Sequence, residues 1–332
     1  MATAVAMLRC PPTWMGDFWQ GMADTDTQQH SAAEGRGRLL RQDSEFDGYR
    51  IHRLLGRGAI GAVYLASNQR GKLVALKTID LGSQFERDEL PLARERLVAE
   101  AQAAGRLRHP HVVRVYRCGE VRGTAYLAMQ PLPGCNLERY TKRTLLLPEP
   151  LALHIGAAVA EGLAHAHAHG VMHRDVKPAN VMVDLPTRRV KITDFGLARL
   201  TDGTRTRTGL VLGTPAFMAP ELLAGAPPHP GSDLYALGVL LFQLLTAALP
   251  YEGESMGTLL RAIAGGPPRS LAALRPDLPA ELHELVRALL DKGPRSRPAD
   301  GMAVAAALRR LASECSNGAA VPPLKSSRVA GG

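Results

Sequence analysis

Asp175, Lys177, Asn180 and Asp194 follow one another in the segment from His173 to Glu221. Carboxylate and amide oxygens are the ligands a hard divalent cation takes, and a lysine among them can offset the charge of an anion held alongside. Phosphoryl transfer needs this combination. It spreads negative charge over the transferred group and asks the protein for positioning and counter-charge rather than covalent chemistry.

A second anion-handling feature lies upstream. Gly56-Arg57-Gly58-Ala59-Ile60-Gly61 has the G-x-G-x-x-G pattern, which dinucleotide-binding folds carry where a helix starts at the glycines. Here residues 62–66 are apolar and strand-like, 68–72 read as a turn and 73–79 as a second strand. The prediction is therefore a glycine-rich hairpin whose backbone N–H groups approach phosphates without side-chain obstruction. Asp80 stands where a ribose-binding acid would, but without the helix it is set aside. Lys77 ends the apolar run Val74-Ala75-Leu76, and the helical pattern over 90–107 offers it two carboxylate partners, Glu95 and Glu100.

The elements that must position these groups change character along the chain. Residues 112–116 and 124–129 read as strands, and Pro131, Pro133 and Gly134 then break the pattern as a hinge would. Helices are predicted beyond it over 151–169, 233–249, 259–264, 281–291 and 301–311. Residues 1–48 and 312–332 lack apolar period and read as disordered tails, with Met22 as an alternative start. At 332 residues and 45% hydrophobic content the chain can bury a large core. Its net charge of +9 comes without a dense basic stripe interleaved with aromatics, which are 5% of residues, so an anionic nucleotide explains the sign better than nucleic acid. Four scattered cysteines with no C-x-x-C pair read as reduced thiols. The longest apolar stretch, 234–249, is too short for a membrane span, and the N-terminus has no signal peptide, so the expected location is cytoplasmic with no membrane partner. His165, His167 and His169 invite a metal reading. His165 and His169 share a helix face at i, i+4, but no third ligand is placed nearby, and the three read as ordinary residues of a helix end.

Five motifs in one order now carry a resemblance: Gly56 to Val63, Val74-Ala75-Leu76-Lys77, His173 to Asn180, Asp194-Phe195-Gly196 and Ala219-Pro220-Glu221. Residues 49–311 resemble a bacterial, eukaryotic-type (Hanks-type) serine/threonine protein kinase. The resemblance implies an α+β, two-lobed fold, with a small β-rich N-lobe (49–131) and a larger helical C-lobe (132–311). It implies ATP-dependent phosphorylation of protein serine and threonine hydroxyls, with Mg²⁺, or Mn²⁺ in its place, as the metal. ATP would be held by Leu55, Gly56, Arg57, Gly58, Ala59, Ile60, Gly61, Ala62 and Val63 of the hairpin, by Ala75 and Met182 against the adenine, and by Met129, Gln130 and Leu132 at the hinge. Lys77 would hold the α- and β-phosphates and pair with Glu100. Asn180 and Asp194 would ligate the metal, Asp175 would orient the hydroxyl and take its proton, and Lys177 would touch the γ-phosphate. Glu221 would pair with Arg297, and Asp233 would brace the catalytic loop. Lys177 and Gly213-Thr214 match the serine/threonine pattern rather than the tyrosine one.

Arg174 beside Asp175 implies control by phosphorylation of the activation loop, with Thr206 and Thr208 favoured over Thr201 and Thr204, and a transient pairing of two copies for autophosphorylation in trans. Two departures stand out. Ile60 replaces the usual aromatic at the hairpin tip, and Ala104 replaces a larger residue expected to stack with Phe195, which predicts weak docking of the helix over 90–107. A pseudokinase would lack Lys77, Asp175 or Asp194, and a small-molecule phosphotransferase would lack Gly213-Thr214 and Ala219-Pro220-Glu221. All are present.

Overall fold

A computed structural model describes residues 39–58, 61–195 and 215–318. Its N-terminal half is an antiparallel six-stranded sheet, order β1-β2-β3-β4-β6-β5, built from β1 (Glu45–Phe46), β2 (Tyr49–Gly58), β3 (Gly61–Asn68), β4 (Leu73–Asp80), β5 (Val115–Val121) and β6 (Thr124–Met129). The four-residue helical turn α1 (Leu81–Gln84) and the long α2 (Leu90–Arg106) follow β4. Strand β4 is buried on both faces. Val74 and Leu76 join Ile51, Tyr64 and Tyr126 on one side, whereas Ala75 and Ile79 join Leu97 and Ala101 of α2 on the other. The period of two thus puts Lys77 on the α2 side, in register with Val63 and Leu127.

Beyond the hinge, β7 (Cys135–Asn136), β8 (Val181–Asp184) and β9 (Arg189–Ile192) form a small sheet. The helices are α3 (Glu149–Ala168), α4 (Pro220–Leu223), α5 (Pro230–Thr246), α6 (Met256–Gly265), α7 (Leu271–Leu274), α8 (Ala280–Leu289) and α9 (Gly301–Gly318). Helix α5 is apolar all round and lies at the centre of the largest core, against α3 and α8. No helix among the described residues is long and apolar enough to cross a membrane.

Two expected boundaries are corrected. Order starts before residue 49: Phe46 is buried edge-on against Tyr126, and the Asp43 N–H donates to Ile51 O. Two strand residues are too few to show a period in the sequence. At the other end α9 runs past 311, with Ala312 against the core and the Cys315 thiol bonded to Glu149. The strand expected over 112–116 also begins later, because Val112 and Val113 pair instead with Ile192 of β9.

Candidate active site

Asp175 and Asn180 lie on the loop between α3 and β8, and Asp194 lies just after β9. Two hydrogen bonds hold the segments together, from Thr193 N and Thr193 Oγ1 to Asn180 O at 2.9 and 3.2 Å. The Asn180 amide donates to Asp175 O at 2.8 Å and Asp175 Oδ2 at 2.9 Å, which leaves its carbonyl oxygen as the free acceptor. Lys177 Nζ sits 2.8 Å from the same Oδ2. One oxygen of Asp175 is therefore engaged twice, and the other is available to a hydroxyl.

The loop is braced from below. Asp233, in the first turn of α5 and 2% exposed, accepts the N–H of His173 at 2.9 Å, the N–H of Arg174 at 2.8 Å and His167 Nε2 at 2.7 Å. Burial alone would raise its pKa, but these donors outweigh burial and hold it below the ordinary value. His173 is fully buried. Its Nδ1 accepts the Asp175 N–H at 3.2 Å and its Nε2 donates to Thr193 O at 2.7 Å, while the ring packs edge-on to Phe195 at 4.6 Å. Arg174 (φ 70°) and Asp194 (φ 63°) both occupy the left-handed region. Strain of this kind persists where surrounding contacts over-determine it.

Lys77 Nζ is 2.8 Å from Asp194 Oδ1. Glu100, the partner expected for Lys77, is buried on α2, the helix that packs against the Lys77 face of β4. Leu55, Val63 and Leu132 pack around Ala75 and Met129, giving an apolar floor at the hinge. Gln130 donates its N–H to Arg114 O, and Met182 lies on β8. Gly56, Arg57, Gly58, Gly61 and Ala62 form the hairpin of β2 and β3, and a Cβ on Gly61 would fall 1.9 Å from Thr78 O. Ala59, Ile60, Gly196, Thr201, Thr204, Thr206, Thr208 and Gly213-Thr214 lie outside the described residues. Ala104 is buried in the same core as Phe195, Leu107 and Val112.

Asn180 and Asp194, the residues expected to hold a metal, offer oxygen donors, the Asn180 carbonyl oxygen and the Asp194 carboxylate. That donor set fits a magnesium-type cation, which fills its remaining positions with water and phosphate. Glu221 and Arg297 form the expected bidentate pair, at 2.6 and 2.7 Å with the guanidinium fully buried. Ser232 Oγ adds a third bond to Glu221 at 2.7 Å, and Arg297 also donates to Gly231 O. Burial pushes Glu221 up, but Arg297 more than compensates and its pKa is lowered. Sequence reasoning missed the part played by His167. Its partner is 66 residues away, and no local signal marks it.

Comparison with known proteins agrees with this geometry. Residues 49–309 match the protein kinase domain family. The chain is 38% identical over 278 residues to the serine/threonine-protein kinase PknH of Mycobacterium bovis, covering 82% of this chain and 46% of that protein. It is 37% identical over 280 residues to the serine/threonine-protein kinase pkn3 of Myxococcus xanthus, covering 80% and 50%. The chain thus spans about half the length of the curated relatives it matches. The crystal structure of the Mycobacterium tuberculosis PknI kinase domain superposes with a TM-score of 0.66 at 30% identity, covering 82% of this chain and 100% of that one. The chain belongs to the protein kinase family, in its bacterial Hanks-type serine/threonine branch.

Proposed function

We propose that this chain transfers the terminal phosphoryl group of ATP to serine or threonine hydroxyls of proteins, its own activation loop included. The observation that carries the reading is the convergence of Lys77 on Asp194 and of Lys177 and Asn180 on Asp175. Asn180 and Lys177 fix one oxygen of Asp175, so the other presents a defined lone pair to the substrate hydroxyl. A carboxylate is a weak base toward an alcohol, so the proton moves late, once the loosening phosphoryl group draws on the hydroxyl oxygen. Lys177 offsets the charge beside the transferred group, and Lys77 orients the α- and β-phosphates. Asn180 and Asp194 would hold Mg²⁺, or Mn²⁺, which when bound neutralises phosphate charge. The floor of Leu55, Val63, Ala75, Met129 and Leu132 would take the adenine. Protein substrates and a transient second copy for trans-autophosphorylation are the implied partners.

Replacing Asp175→Asn tests this directly. Transfer of labelled phosphate to a protein substrate should fall at least about 10²-fold while ATP affinity is kept. Intact turnover would overturn the assignment.

A further inference from the structure

Three imidazoles outside the active site pack ring on ring where the two halves of the chain meet. His109, in the loop that leaves α2, stacks on His165 of α3 at 4.9 Å and 23°, and His165 lies 4.4 Å from the ring of His169. His111 adds a fourth ring 5.5 Å from His109. Among the described residues no three histidine, cysteine or acidic side chains are disposed to hold a metal, so this is a packed stack rather than a chelate.

The hydrogen bonds determine what a proton would do here. His111 N–H donates to His109 Nδ1 at 3.2 Å, and Arg108 N–H points at His165 Nε2 at 3.4 Å. Both rings accept from backbone through the one nitrogen that carries no hydrogen in a neutral imidazole. A proton added there turns each acceptor into a donor facing another donor. His169 Nδ1 faces His165 O at 2.8 Å.

The surroundings are also short of negative charge. Around His109 stand His111, His165, Lys191 of β9 and one carboxylate, Glu161 of α3. Glu161 is shared with His111 at 3.4 Å and with Arg309 of α9 at 2.6 Å. Around His165 stands His169. Burial first, and the neighbouring histidines second, hold both His109 and His165 below the ordinary histidine pKa.

This loop ties the end of α2 to the C-terminal half. His111 O accepts from Ile192 N, Val113 N–H donates to Ile192 O, and Lys191 Nζ donates to Val112 O at 2.9 Å. We propose that His109 and His165 form a proton-operated clasp, closed when the two rings are neutral and opened by acid, that sets the placement of α2 and of the Glu100 it carries. The sign follows from linkage. The folded rings resist a proton that the unfolded or opened loop accepts, so the clasp is intact above the ordinary histidine value and weakens as pH falls below it.

The test uses the full chain with ¹³C-labelled histidine. Ring resonances of His109 and His165, assigned with His109→Gln and His165→Gln, should titrate below the ordinary value, and His165→Gln should raise the midpoint of His109 by removing a like charge. In parallel, phosphorylation rates are compared at about pH 7.5 and about pH 5.8. The loss on acidification should be at least about threefold greater in the wild type than in the double variant His109→Gln/His165→Gln, which lacks both proton acceptors. Ordinary, independent titration of the two rings, or equal acid losses in wild type and double variant, would overturn the clasp.

Discussion

Asp233→Asn is nearly isosteric, yet the structure makes it costly. The carboxylate accepts three hydrogen bonds: His167 and the His173 N–H share Oδ2, and the Arg174 N–H has Oδ1 to itself. An amide offers a single acceptor atom. With its oxygen toward Arg174, its NH₂ faces the His173 N–H; flipped, it faces the Arg174 N–H. Either way one buried backbone donor meets another donor. A lost bond to a charged acceptor and an orphaned buried N–H together imply about 3 kcal/mol. The orphan sits within two residues of Asp175, so the loop should relax there, and a displacement near 1 Å is enough to cost about 10²-fold in kcat. Urea denaturation gives the first quantity and steady-state phosphorylation of a peptide the second. If the midpoint and kcat both stay at wild-type values, Asp233 is not the brace.

Arg297→Ala should cost about 3–5 kcal/mol in chemical denaturation, because it strands Glu221 as a buried charge; a loss below about 1 kcal/mol would contradict the pairing. Acid should remove the contributions of Asp233 and Glu221: both have folded pKa values below their unfolded ones, so their stabilisation is complete above the unfolded values of 3.8 and 4.5 and is lost as pH falls through the folded ones, seen as a melting temperature dropping steeply in that range. Replacing Thr206 and Thr208 together by alanine should lower activity several-fold by withholding a charge of about −1.5 to −2 from Arg174, with mass spectrometry showing phosphate at these positions in the wild type only.

The fold was legible where period and punctuation were strong. The β2–β3–β4 meander followed from glycine, turn and alternation, and helix α5 from a long apolar run, interrupted at Gln243 and bounded by Asp233 and Pro250. Competition hid the rest. Val112 and Val113 look like the start of a strand, but their hydrogen bonds go to Ile192, so β5 begins at Val115. The surroundings of Lys77 were legible only in part for a related reason. Helical periodicity placed Glu100 on the buried face of α2, whereas the contact of Lys77 with Asp194 depends on how the segment after β9 meets the sheet, which no local pattern encodes. The same limit applied to the histidines. His165 and His169 lacked a nearby companion in sequence, and the fold brought His109 to them from another element.

What most distinguishes the site is how few contacts hold its strain. Two non-glycine residues with left-handed backbone, Arg174 and Asp194, flank the chemistry, and such conformations cost of order 1–3 kcal/mol each. Asp233 captures the N–H groups at one turn. His173 then links that turn to the other, one ring nitrogen taking the Asp175 N–H and the other donating to Thr193 O, the carbonyl that immediately precedes Asp194. A ring that accepts on one side and donates on the other must keep its proton on Nε2, so a single tautomer serves both turns. Because Phe195 packs against the same ring, movement of the segment after β9 cannot leave the catalytic loop unaffected. The carboxylates of Asp175 and Asp194 are therefore positioned as one unit, through an imidazole that need not touch the substrate.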